Sequence, residues 1–133
     1  MVLDVCVHGR PISNQTSRRA TLATWKQKVR AACAAAWPEG EPPIGELASL
    51  RVTYYYETVI RDIDNLVKPI QDVLQGLAYH NDRQISDVTG RLRNIDGLFK
   101  ARYMSAALAI AFTDGREFVH IEVWRSPDRE GAG

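Results

Sequence analysis

The sequence predicts a single domain of the mixed α/β (α+β) class. It should hold a mixed β-sheet of about four strands with two main helices, in the order strand, helix, strand, helix, strand, strand. Three observations predict this. Val2 to His8 alternates Leu3, Val5 and Val7 against Asp4, Cys6 and His8, the period of a strand with one buried face. The stretches 18–37 and 61–78 carry apolar residues at helical spacing. Between and after them lie β-branched and aromatic runs that read as further strands, and such alternation packs as a sheet with helices on one or both faces. A chain of 133 residues has room for one core and little more.

After the first strand, Gly9 to Ser17 is a loop by composition. Its amides and hydroxyls, Asn14 among them, suit an approach to phosphates; Thr16 or Ser17 can equally serve as a helix N-cap. Arg18 to Trp37 is a helix, with Leu22, Trp25, Val29, Ala32, Cys33 and Ala36 on one face and Arg19, Lys26 and Arg30 on the outer side. Pro38 ends it. Residues 39–45 form a Pro- and Gly-rich connection to a second strand, Leu47 to Ile60. In that strand Tyr54, Tyr55 and Tyr56 read first as core residues, with base stacking as the alternative.

In 61–78, Leu66, Ile70, Val73, Leu74 and Leu77 form the apolar stripe. Pro69 is tolerated only in a first turn, which places the helix start near Asp64 or Asn65, and Gly76 fits its stop. Tyr79 to Arg83 is a turn, and Gln84 to Asn94 a third strand with Arg91 and Arg93 on one face. Lys100 to Phe112 fits a short helix or a hairpin arm, with alanine and methionine favouring helix. Arg116 to Arg125 is the last strand, so the domain is expected over 1–125, with a disordered tail over 126–133.

Composition excludes several classes. No apolar run is long enough to span a bilayer. Asp4 and His8 interrupt any basic-then-apolar leader, and Cys6 and Cys33 lack metal-type pair spacing, so a cytoplasmic protein with reduced thiols is expected. Net charge is +1, but its distribution is uneven. No acid falls between Val5 and Pro38, where Arg10, Arg18, Arg19, Lys26, Lys28 and Arg30 all lie. Acids gather around 61–87 instead. A basic half beside an acidic pocket suits a nuclease, with a solvated helix face as the plain alternative.

The chemistry concentrates in Arg61 to Asp87. Asp62 and Asp64 alternate at a strand end and so point to one side, Lys68 shares a helix face with Asp64, and Asp82 follows the helix behind a loop. Convergent carboxylates suit Mg²⁺, which takes oxygen ligands and keeps several waters, and a lysine beside them can meet charge on a reacting phosphate. Each residue also has a structural role open to it: Asp64 as a cap, Lys68 as the i+4 partner of Asp64 and Asp72, Asp82 as a turn residue, His80 as a loop histidine rather than a base. Asp72 reads as a supporting residue.

The run Arg61-Asp62-Ile63-Asp64-Asn65-Leu66, with Lys68, Asp72, Leu74 and then Asp82-Arg83-Gln84-Ile85, resembles the core of the RusA-type Holliday junction resolvases. Pro11-Ile12-Ser13-Asn14 is similar to that family's N-terminal segment, while Asn81 stands where the family often has a first acid. The resemblance implies a RusA-like, Mg²⁺-dependent endonuclease, with Mn²⁺ able to substitute, that acts as a homodimer on branched DNA and resolves four-way junctions by paired nicks. Asp62, Asp64 and Asp82 would be metal ligands and Lys68 the catalytic lysine; Asn14, Arg18, Arg19, Lys26, Arg30, Arg91 and Arg93 are the candidate DNA contacts. Two other readings stay open. One is the same chemistry on flaps, forks or unpaired DNA; the other is a DNA-binding or assembly module that keeps the fold without cutting.

Overall fold

β1 (Leu3–His8) is the strand that its alternation predicts, with Leu3 and Val7 buried. In this computed structural model residues 2–59, 62–97 and 104–126 are described. Next come α1 (Arg19–Ala36), β2 (Ala48–Tyr56), α2 (Ile63–Leu74), a short 3-10 turn (Asp82–Gln84), β3 (Ile85–Asn94), α3 (Ala106–Thr113) and β4 (Phe118–Arg125). The four strands form one mixed sheet in the order β1-β4-β2-β3. β4 runs antiparallel to both of its neighbours, while β2 and β3 are parallel and are joined through α2.

The main core lies between one face of this sheet and the helices α1 and α2. Leu50, Val52 and Tyr54 of β2 and Val119, Ile121 and Val123 of β4 meet Trp25, Val29 and Cys33 of α1 and Leu66, Ile70 and Leu74 of α2. The seat of α2 on β3 depends on Gly90. A Cβ there would stand 2.8 Å from Ile63 Cγ1 and 3.2 Å from Val67 Cγ2. The missing side chain lets the first turn of α2 settle against the strand.

The second face is polar on the β4 side and aromatic at one end. Arg51 donates two hydrogen bonds to Glu122, at 2.8 and 2.9 Å, and His120 Nε2 lies 2.5 Å from Asp4 Oδ1. The buried Glu122 carboxylate is thus paired, as buried charge must be. α3 covers the other end, where Tyr55, Phe112 and Phe118 pack ring on ring. This helix settles the choice between helix and hairpin arm for that stretch and adds a third helix to the two expected. Residues 98–103 lie outside the described residues.

Other boundaries move for local reasons. α2 begins at Ile63 with Asp62 as its N-cap, earlier than expected. The Asp62 carboxylate makes no capping bond, because it accepts from Asn65 Nδ2 instead, at 2.6 Å. The helix stops at Leu74 because Gln75 is extended and Gly76 takes φ +85, the left-handed region open to glycine. At the start of α1, Arg18 is the N-cap, and Thr16 Oγ1 accepts from the Arg18 N–H at 3.1 Å. Tyr54 and Tyr55 are buried, which answers for core packing over base stacking. Ser126, expected in the tail, is 1% exposed and bonds to the hydroxyls of Ser49 and Ser86; residues 127–133 lie outside the described residues.

Gly90→Ala should destabilise the protein by about 1–3 kcal/mol through overpacking against Ile63 and Val67. Urea unfolding will show it as a lower midpoint at unchanged slope. Alkali should act on the same core. Burial pushes the Cys33 thiol from 9.0 up to about 12 and raises the Tyr79 phenol too. The folded state therefore keeps protons that the unfolded chain loses from pH 9 upward, so stability falls as pH rises from 9 to 12. At about 1.4 kcal/mol per pH unit, Cys33 alone removes up to about 4 kcal/mol across that window, measurable by urea unfolding at about pH 8 and about pH 11.

Candidate active site

α2 and its N-cap carry three of the four acids of this region, and the apolar stripe on the far side of the helix decides how they face. Leu66, Val67, Ile70, Val73 and Leu74 are buried, which turns Asp64 and Lys68 outward. Asp62 caps the helix and Asp64 lies in its first turn, where the helix dipole favours negative charge. Arg61 lies outside the described residues.

Asn65 ties this end of the helix to the loop before α1. Its side chain donates to Asp62 Oδ2, its carbonyl accepts from the Asn14 N–H at 2.8 Å, and its Oδ1 accepts from Gln15 Nε2 at 3.4 Å. The 9–17 loop is thereby drawn to the start of α2, beside Asp62. Asn14 makes that contact through its backbone and keeps a half-buried side chain.

Asp82 arrives from the far end of α2. It opens the 3-10 turn, whose N-cap is Asn81; the Asn81 side chain accepts from the Arg83 N–H at 2.9 Å. Gln84 closes the capping box and pins the turn. Its Oε1 accepts from the His80 and Asn81 N–H groups at 2.8 and 3.0 Å, and its Nε2 donates to the Ile44 and Glu46 carbonyls at 2.6 and 2.9 Å. Gln75 Oε1 accepts from the Asp82 N–H at 3.0 Å. Asp82 is thus placed by three amide side chains: the sequence names Asn81 and Gln84 only as motif positions and gives Gln75 no role, although the Asn81-x-x-Gln84 spacing signals the capping box.

Lys68 joins the middle of α2 to the Asp82 turn. Its Nζ lies 3.1 Å from Asp72 Oδ1 and 3.8 Å from Asp82 Oδ2. Asp72 Oδ2 is also 3.8 Å from Lys26 Nζ of α1. Four carboxylates along this surface, Asp62, Asp64, Asp72 and Asp82, are answered by two ammonium groups, so the local charge favours a cation. The donors fit Mg²⁺ in kind: hard oxygens, half-buried to exposed, with room for the waters that the ion keeps. Among the described residues no three His, Cys, Asp or Glu side chains stand together as a metal-binding group. Mg²⁺ does not require three, since one or two carboxylates commonly hold it together with substrate phosphates.

The candidate DNA contacts divide. Arg18 and Arg19 are exposed at the start of α1, beside the 9–17 loop. Lys26 faces Asp72, and Arg30 donates to the Val73 carbonyl at 3.2 Å, so both help join α1 to α2. Arg91 and Arg93 point to the opposite sheet face from α2. Arg91 is half-buried, donates to Thr53 Oγ1 at 2.9 Å, and has its pKa lowered by burial and by the Arg51 charge. Arg93 is exposed. The structure does not bring these two to the acids. His80 is an exposed loop residue.

The chain matches the endodeoxyribonuclease RusA family over residues 7–98 of 133, a span that contains every acid and lysine of this site. It belongs to the RusA family. RusA membership implies an endodeoxyribonuclease, and the RusA match begins inside β1 and runs through α1, β2, α2 and β3. No curated protein matches the chain. Among the described residues no helix is long and apolar enough to cross a membrane.

Gln84→Ala should release the turn that carries Asp82. Loss of its paired bonds costs about 1–3 kcal/mol locally. Hydrogen exchange should quicken at the Asp82 and Arg83 amides while α1 stays protected.

Proposed function

We propose that this chain is a Mg²⁺-dependent, structure-specific endodeoxyribonuclease that resolves four-way DNA junctions by paired nicks. The observation that carries this reading is the RusA match across residues 7–98, which encloses a lysine set among carboxylates. Asp62, Asp64 and Asp82 would hold the ion, which Mn²⁺ could replace. When bound, the ion lowers the pKa of a water and neutralises charge on phosphoryl oxygens.

The chain's own residues supply the rest. Lys68 meets charge that grows on the phosphate or on the leaving oxygen, as a compact point cation. Asn65 holds the Asp62 carboxylate through its side-chain amide. Gln75 and Gln84 hold the backbone that presents Asp82. Arg18 and Arg19, with Asn14, form the leading DNA contact; Lys26 borders the site, and Arg30 serves the joint between the helices first. A homodimer suits the reaction, because two sites related by a two-fold axis can nick two strands of like polarity. A cytoplasmic role in DNA recombination and repair follows from this activity.

The deciding experiment compares a synthetic four-way junction with linear duplex, a flap and single-stranded DNA, with Mg²⁺ and with chelator. Paired symmetric nicks on the junction are expected, lost in chelator and in Asp64→Asn, with junction binding retained by that variant. Lys68→Met should lose on the order of 10²–10³ in rate, as when one donor to transition-state charge is removed. Cutting of flaps or single strands instead would keep the chemistry and replace the substrate. Binding without any cutting would make the chain a DNA-binding module.

Binding gives an independent check. Alanine at both Arg18 and Arg19 should weaken junction affinity and flatten its logarithmic salt dependence by about 0.9 per lost phosphate contact. An unchanged slope would move the DNA surface to Lys26 and Arg30, and then to Arg93.

A further inference from the structure

Asp72 has no part in the reaction as proposed, yet two helices meet at its carboxylate and a third element is linked to it through Lys68. One oxygen faces Lys68 of its own helix at 3.1 Å and the other faces Lys26 of α1 at 3.8 Å. Lys68 in turn stands 3.8 Å from Asp82 of the 3-10 turn. Charges alternate along this chain: Lys26, Asp72, Lys68, Asp82. Neighbouring contacts hold Asp72 in place. Arg30 bonds the Val73 carbonyl, and the Tyr79 hydroxyl donates to the Gln71 carbonyl at 2.5 Å, one residue to either side.

A lysine ammonium on a four-carbon stem has no position of its own. Here Asp72 is its nearer partner and Asp82 its farther one. Without the Asp72 charge, Lys68 would keep only the Asp82 carboxylate and close on it, taking up an oxygen that the reaction needs for a cation. The pairs are exposed enough to stabilise the fold little, which makes their effect on the reaction separable from any effect on folding.

We propose that Asp72 is the positioning residue for Lys68: its carboxylate holds the ammonium back from Asp82 and fixes it, through Lys26, against α1. This rests on the nuclease reading for what Lys68 does, but not for where Lys68 is held.

The test compares Asp72→Asn, Asp72→Glu and Lys26→Met with wild type in Mg²⁺. Asp72→Asn should lose about 10- to 100-fold in kcat, the size expected for a group that orients a catalytic one, with KM for the junction unchanged. Asp72→Glu should restore most of the loss, and Lys26→Met should lose less than Asp72→Asn. Calorimetric titration with Mg²⁺, free of DNA, should show weaker binding to Asp72→Asn than to Asp72→Glu. Nitrogen-15 spectra should show an ordered Lys68 ammonium in wild type and an averaged one in Asp72→Asn. Wild-type kcat in Asp72→Asn, or a Lys68 signal that this substitution leaves unchanged, would overturn the proposal. Should the asparagine variant not fold, Asp72→Ser and Lys26→Met carry the same test: a Lys68 signal left unaltered by Asp72→Ser would overturn it. Should wild type cut no DNA at all, the nuclease reading fails, and the Lys68 spectra still decide the positioning claim.

Discussion

Ile63 and Val67 come so close to β3 that no side chain fits at Gly90. This contact seats the first turn of α2, and nearly everything in the site depends on that seat. Asp62 and Asp64 ride on the same turn, and Asn65 reaches from it to the 9–17 loop. Lys68 follows one turn later. Because β2 and β3 are parallel, the chain must cross between them, and α2 is that crossover. The acids at its start therefore stand beyond the C-terminal end of β2, where α/β sheets commonly hold ligands.

The two faces of the sheet have separate duties. One is apolar and carries α1 and α2, so every proposed reacting group stands on that side. The other joins Arg51 to Glu122 and His120 to Asp4, and closes one end with the aromatic packing under α3. Alternation along β3 divides its residues in the same way. Leu92 packs into the main core, while Arg91 and Arg93 project from the opposite face. Two arginines that look alike in sequence to those of α1 therefore lie across the sheet from the acids.

The elements that carry a clear period were legible. β1, α1, the stripe of α2 and β4 bury most of what their spacing says they should; Ala36, at the end of α1, is exposed, and Val5, Ala32 and Leu77 are only half-buried. α3 was legible only through the helix preference of its alanine and methionine, because its run of alanine, leucine, isoleucine and phenylalanine is apolar all round and has no stripe to read. Within the site, Lys68 and Asp72 were legible as neighbours through their i+4 spacing. The meeting of Lys68 with Asp82 was not, since it depends on how a turn returns to the helix, and that turn is set by Gln75, Asn81 and Gln84 rather than by any charge. Arg30 misled for the same kind of reason: its position on α1 says that it leaves the core, but not that a helix carbonyl awaits it.

The ion pairs of the site are weak by design of their surroundings. Lys68 and its carboxylate partners are partly exposed, and such pairs contribute on the order of 0–1 kcal/mol. Stability comes instead from the stripe beneath them, where six residues of α2 are buried. That separation matters for the proposed chemistry. A catalytic lysine locked in a buried pair could not leave its partner for a phosphate without a large penalty, whereas one held at a half-exposed surface can exchange a carboxylate for a phosphoryl oxygen at little cost. The excess of carboxylates over ammonium groups disfavours a bare phosphate at this surface; a cation held by those acids would offset the repulsion and supply the attraction for the DNA backbone.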